Sequence, residues 1–351
     1  MERITFDKYF APIIPYVPDM LISSEAFDEI KKSASILPSE LVNFTFGFEC
    51  ELGNENPDAD FLVSYNTQIG KRDALANISL DKELKENKVW KGILEVNNRW
   101  NDKNDFIYHR LDFLWLEFDT KTKNYFVPGI FFGPLIYSDS KFSRKEQFII
   151  ICEKVFAIFG IDKPGKSVLT LMNNLPDDVH IFQIGILPAR NVPFQRFCIT
   201  KLNSDELEKL LYVVEYPYID KAVELFNWLS DFSDKIEVDI DLGDEIGEKI
   251  GYECYIESEN IEKWQKFLDF LVDEKMCTKE KCEAILNYPG VSDSDTDRDI
   301  WPENLLDALS VMNSWKQSIF KRSIHHIKVV FEPGKPLQAK VYLAVNHYWR
   351  R

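Results

Sequence analysis

No apolar run in this sequence approaches the roughly 20 residues that a bilayer crossing needs, and stretches such as Phe148 to Cys152 are broken at once by Glu153 and Lys154. The first residues lack the charged and apolar regions of a signal peptide, so a cytoplasmic protein with no membrane partner is expected. Positive charge is also scarce. Against 58 Asp and Glu stand 42 Lys and Arg, a formal charge of −16. Nucleic acid and anionic lipid both require a basic face that releases counterions, so neither is an expected partner, whereas a neutral or cationic one fits. The six cysteines (Cys50, Cys152, Cys198, Cys254, Cys277 and Cys282) form neither a CxxC pair nor a Cys/His cluster with zinc spacing, and read as buried reduced thiols. GxGxxG, GxxxxGK(S/T), GxSxG and HExxH are all missing, which removes the familiar nucleotide-binding, serine-hydrolase and zinc-protease readings.

No linker or low-complexity stretch divides the 351 residues, and 45% hydrophobic with 28% charged positions is enough for a substantial core. A single domain spanning residues 1–351 is expected, built from five helix-separated β-hairpin units. The hairpins show the period-two alternation of half-buried strands. They begin at Phe44–Leu52, Leu111–Asp119, His180–Arg190, Lys235–Asp244 and Ile324–Gly334, and each turns into a second alternating run. Helical spacing fills the intervals at Ala26–Ser35, Lys82–Trp100, Arg144–Phe159, Asp205–Val214, Asp220–Phe232, Glu262–Tyr288 and Leu305–Phe320. Ser143 and Ser204 are the expected helix starts. The polar loop Gly290–Asn304 alternates Asp293, Asp295, Asp297 and Asp299 like a calcium loop. It has Arg298 where glycine is needed and Asn304 where a bidentate glutamate is needed, so it reads as a solvated acidic loop.

Successive strand side chains point to opposite faces, which splits each hairpin into two sets. One set is apolar: Phe44, Phe46, Phe48, Cys50 and Leu52; Leu114, Leu116 and Phe118; Phe182, Ile184 and Ile186; Ile236, Val238, Ile240 and Leu242; Ile327 and Val329; Val341, Leu343 and Val345. The other is polar. It carries Glu49, Glu51, Trp115, Glu117, Asp119, Gln183, Arg196, Glu237, Asp239, Asp241, Lys249, Glu253, Tyr255, His326, Lys328, Lys340 and Tyr342. His325 and His326, being adjacent, should point to opposite faces. Amphipathic helices can cover the apolar face. The polar face then meets water on an open sheet, or lines the lumen of a closed barrel. Ten strands favour closure, because open twisted sheets of that size curl or split.

A ten-stranded antiparallel barrel of five hairpins, with helices outside and a polar lumen, is similar to the ABBA-type aromatic and peptide prenyltransferases (the prenyltransferase barrel). The best local match is the last hairpin, where Lys340 and Tyr342 resemble the recurring Lys-x-Tyr of that family. The resemblance implies an α+β fold and transfer of an allylic group from a diphosphate donor to an aromatic or peptide acceptor in the lumen. Arg196, Lys249, Lys328 and Lys340 are then candidates to hold the diphosphate. Tyr255, Tyr342 and Trp115 would shield the allylic cation. Glu49, Glu117 and Asp239 are the candidate catalytic carboxylates. The lumen's eight acids (Glu49, Glu51, Glu117, Asp119, Glu237, Asp239, Asp241, Glu253) against four bases repel a bare diphosphate. Magnesium on Asp119, Asp239 and Asp241 would reconcile the two. Two other readings stay open: a different reaction on a peptide or natural product, with carboxylates such as Glu237 and Asp239 as acid and base, and a noncatalytic acidic receptor for a cationic partner.

Overall fold

The structure, a computed structural model, describes residues 4–67, 73–122, 126–138, 141–190, 192–257, 259–312 and 316–350. Its strands are β1 (Phe46–Glu51), β2 (Ala59–Asn66), β3 (Leu111–Phe118), β4 (Gly129–Pro134), β5 (His180–Ile186), β6 (Gln195–Thr200), β7 (Lys235–Leu242), β8 (Ile246–Tyr255), β9 (Gly290–Asp293), β10 (Gln317–Phe331) and β11 (Gln338–Arg350). Each strand from β1 to β8 pairs antiparallel with the next, β8 pairs with β10, β10 with β11, and β11 returns to β1. Ten strands therefore close into a barrel, as the alternation suggested. β9 stands outside the ring, paired with the first part of β10 through Ile319↔Asp293 to Arg322↔Gly290.

The helices are α1 (Ser24–Ala34), α2 (Lys82–Glu86), α3 (Lys88–Asn101), α4 (Arg144–Ile158), α5 (Lys166–Asn174), α6 (Ser204–Val213), α7 (Ile219–Ser230), α8 (Ile261–Asp273), α9 (Lys279–Asn287) and α10 (Glu303–Val311). They cover the outward face. α3 begins where the Asn87 side chain accepts from the Val89 and Trp90 amides, and it buries the stripe Trp90, Ile93, Val96 and Trp100. The two indoles are tied back to the chain, Trp90 Nε1 donating to Phe126 O (2.8 Å) and Trp100 Nε1 to Leu111 O (3.0 Å). Under α1 and the N-terminal 3₁₀ turns, Phe6, Phe10 and Phe27 interlock edge-on or tilted with the outward Phe46, Phe48 and Phe61. Among the described residues no helix is long and apolar enough to cross a membrane.

Several boundaries differ from the sequence reading. The stretch 82–100 is two helices, divided where Asn87 caps both. The stretch 262–288 is also two, separated by Lys275 at φ 59 and the Thr278 cap. The last helix stops at Val311, and Gln317–Phe320 belongs to β10 because β11 pairs with it throughout and β9 with Ile319 and Phe320. Asn203, rather than Ser204, caps α6 in a reciprocal capping box with Glu206, while Ser143 caps α4 as expected. Helix α5, which follows Pro164 and Gly165, was not anticipated.

Two β-bulges correct the face assignment. A shift between Ile181 and Gln183 buries Ile181 outward and turns Phe182 as well as Gln183 to the lumen wall. A second shift between Ile324 and His326 puts both His325 and His326 on the lumen wall, where alternation had separated them.

Candidate active site

Because β1, β3, β6, β7, β8 and β11, and β10 beyond its bulge, keep their alternation across the barrel, their polar side chains converge. At one end the lumen is a layer of ion pairs. Lys340 and Tyr342, two apart on β11, both donate to the Glu49 carboxylate. Arg196 holds Asp241 with two parallel hydrogen bonds of 2.9 and 3.2 Å. Lys328 donates to Asp239 and lies 3.7 Å from Glu253 Oε1. Arg190 bridges Glu117 (2.6 Å) and Asp119 (2.7 and 3.0 Å). Apart from Asp119 and Glu253, these groups line a narrow compartment of about 110 Å³, which meets an open vestibule of about 890 Å³ at the barrel mouth.

At the other end the wall turns aromatic. Phe113, Trp115, Phe131, Phe182, Tyr255 and Tyr342 line a chamber of about 360 Å³ whose polar members include Glu237, His325 and His326. Phe131 lies across Gly185, its cross-strand partner, where a Cβ would collide with the ring. His326 is stacked on Tyr342 with ring centroids 4.1 Å apart and 17° between planes, and its Nδ1 is 2.7 Å from Nδ1 of His325. Glu117, Arg196, Asp239, Lys328 and Tyr342 border both chamber and compartment, and so form the junction between them.

The carboxylates differ in proton affinity. Burial alone would raise Glu49, but the Lys340 ammonium and the bonds from Lys340 and Tyr342 hold it at about 2. Burial likewise raises Asp239, yet Lys328 and Arg196 bring it below the ordinary carboxylate value. Glu253 is pushed up to about 8 by burial and by the neighbouring Asp239 charge. Burial also raises Glu117, against the pull of Arg190. His326 falls well below the ordinary histidine value, first because it is buried and then because His325 and Lys328 lie nearby. It is a neutral imidazole.

The nominated residues are distributed as follows. Glu49, Glu117, Asp239, Arg196, Lys328, Lys340 and Tyr342 gather at the junction and in the compartment beside it, and Trp115 and Tyr255 stand in the chamber. Lys249 lies at the vestibule, half exposed and 3.1 Å from Glu332. Glu51 sits at the rim, 3.7 Å from Lys121. Of the acids nominated for magnesium, Asp119 is held by Arg190, Asp241 by Arg196 and Asp239 by Lys328. Among the described residues, the cluster able to ligate an ion is Cys198, Asp239 and Glu253, with ligand atoms within 4.8 Å of one another. A thiol is a poor partner for a hard cation, and Asp239 already carries an ammonium. The residues present do not fit a resident magnesium ion.

Arg190 and Asp60 were missed. Arg190 closes the run read as His180–Arg190, but β5 ends at Ile186 and Arg190 falls in the 3₁₀ turn Pro188–Arg190, outside the alternation of the strand. Asp60, opposite Glu49 on β2 and pushed up to about 7 by burial and by Glu49, was within reach of it: Phe61, Val63 and Tyr65 are the apolar set, which leaves Asp60 facing inward.

The sequence matches no protein-family model, and no curated protein matches it. Solved structures do. The chain is similar to the prenyltransferase PriB in a ternary complex with L-tryptophan and dimethylallyl thiolodiphosphate, at TM-score 0.52 and 8% identity over 96% of this chain and 94% of that one. The apo form of PriB gives 0.52 and 9% over the same shares. The 5-dimethylallyltryptophan synthase from Streptomyces coelicolor gives 0.48 and 10%, over 97% and 98%. The likeness to PriB gives this chain the fold of the prenyltransferase barrel.

Proposed function

We propose that the chain, acting as one domain, is a prenyltransferase-like enzyme that moves an allylic group from a diphosphate donor to an aromatic or peptide acceptor inside the barrel. The observation that carries this reading is the junction itself: an aromatic chamber opens directly onto a layer of arginine and lysine side chains, with Tyr342 at the boundary. In this reading Arg196, Lys328 and Lys340, joined by Arg190, take the diphosphate, and Lys249 guides it in from the vestibule. The allylic C–O bond breaks toward diphosphate. The cation left behind faces the rings of Tyr342, Tyr255 and Trp115, and the acceptor's carbon or heteroatom forms the new bond to it.

The acceptor then loses a proton, and Glu117 is the best base. Its proton affinity is raised, whereas Glu49 at about 2 is too weakly basic and Glu253 at about 8 is already protonated at neutral pH. Glu49 has instead a positioning role, fixing Lys340 and Tyr342. Each of these cations is paired in the structure, so the donor must exchange places with carboxylates. A divalent cation brought in with the diphosphate would compensate them.

The test is calorimetric titration with dimethylallyl and geranyl diphosphate, with and without magnesium, followed by turnover assays on Glu117→Gln and Lys340→Ala. Binding that Lys340→Ala weakens and turnover that Glu117→Gln reduces about 10²- to 10⁴-fold support the reading. Absence of binding under both conditions overturns it, and would leave the lumen carboxylates to act on another substrate.

A further inference from the structure

Lys235, the first residue of β7, turns its ammonium toward the wall of the aromatic chamber. Its Nζ lies 2.7 Å from Glu237 Oε1 and 4.0 Å from the centre of the Tyr255 ring. The lysine side chain is 50% exposed and that of Glu237 only 6%. An ammonium held between a buried carboxylate and an aromatic face is in the geometry by which proteins recognise alkylammonium ligands. Glu237 has capacity left over. Its Oε2 is buried without a hydrogen-bond partner, as are Asp239 Oδ1 and His326 Nε2 on the same chamber wall. All three residues are more than nine-tenths buried. The other cations on that wall are committed, Arg196 to Asp241 and Lys328 to Asp239. Apart from Lys235, an anionic ligand therefore meets no uncommitted cation among the described residues here, while a ligand bearing N–H donors relieves the carboxylate oxygens of Glu237 and Asp239, which are unfavourable to leave unpaired.

We infer that the chamber selects ligands carrying a protonated primary amine on an aromatic or apolar body. The ligand ammonium takes the place of Lys235 on Glu237 and Tyr255, and Lys235 acts as a built-in competitor that leaves for solvent when the ligand arrives. The inference concerns the acceptor side of the proposed transfer and rests on the lumen being a substrate chamber. It is read by binding alone, with no donor present, so its failure is distinguishable from a failure of diphosphate binding or turnover.

The experiment is calorimetric titration of the full chain with 2-phenylethylamine and with its neutral counterpart 2-phenylethanol. The amine should bind about tenfold or more the tighter. Lys235→Met removes the competitor and should tighten amine binding about three- to tenfold while leaving the alcohol unchanged. Glu237→Gln, close in shape, should erase the preference for the amine. A gain of affinity in Lys235→Met does not arise from misfolding, so it keeps the test decisive even where Glu237→Gln folds poorly. Equal binding of amine and alcohol, no binding of either to both wild type and Lys235→Met, or amine binding that Lys235→Met weakens or leaves unaltered would overturn the inference.

Discussion

The outer and inner faces of the barrel wall are made by the same strands and held by different physics. On β1 and β2, Phe46, Phe48 and Phe61 point outward into a cluster of rings with Phe6, Phe10 and Phe27. One residue along, Glu49 points inward onto Lys340 and Tyr342. Outward stabilisation scales with buried apolar area, about 25 cal/mol per Å², and no ring depends on one neighbour. Inward, a charge is tolerated only while its partner is present. The same backbone therefore combines a robust exterior with an interior whose groups stand or fall in pairs, and paired groups are what a ligand can rearrange.

The comparison can be broken first by deletion. Phe61→Ala should cost about 3–5 kcal/mol in urea unfolding, because the fully buried ring leaves a cavity. Lys328→Met should cost about 3–5 kcal/mol by stranding the buried Asp239. The two losses should differ in rescue. Adding Asp239→Asn to Lys328→Met should return at least half of the loss; a double variant whose loss equals the sum of its singles would show that the inner face is not governed by pairing.

A smaller effect separates the faces by pH, since the shifted carboxylates of the barrel wall lie on the inner one. Glu253 rises from 4.5 to about 8 on folding and Asp60 from 3.8 to about 7. The folded state keeps protons that the unfolded chain has released, so this stabilisation is complete below the unfolded values and is lost as pH climbs through the folded ones. Glu49, lowered to about 2, works the other way: its stabilisation is present above 4.5 and lost on acidification toward pH 2. Thermal midpoints should accordingly fall between pH 5 and pH 8, and Glu253→Gln should flatten that decline. An undiminished slope would assign it to other groups. The smallest effect lies wholly outside. Ser143→Ala, which breaks the α4 capping box, should cost about 1 kcal/mol and leave ligand binding in the lumen unaltered.

Alternation made the barrel legible, because residues such as Glu49, Glu117 and Tyr342 have no choice of face once the register of apolar neighbours is known. It failed where the chain departs from period two. The bulges that turn Phe182 and His325 inward add one residue to a strand without a compositional mark, and the Arg190 turn has no period at all. What no alternation reveals is pairing across the lumen. That Arg196 meets Asp241 and Lys328 meets Asp239 follows from the register of β6 on β7 and from the curvature that brings β10 near β7, neither of which is written in either segment alone.

Ring closure depends on β10 and β11. β11 joins β1 through Phe46↔Val345, β10 joins β8 through Lys328↔Glu253, and the two strands share the longest ladder in the sheet. Until this hairpin docks, β1 and β8 are unpaired edges, and Glu49 and Asp239 lack the lysines that neutralise them. A chain emerging from the ribosome must therefore hold an open, acidic, edge-exposed sheet until its last hairpin is made. Folding of this kind, governed by contacts remote in sequence, is slow and vulnerable to strand-to-strand association. The mutual repulsion of those unneutralised carboxylates supplies a temporary safeguard: it discourages two unfinished sheets from joining edge to edge, and it vanishes when the chain's own lysines arrive.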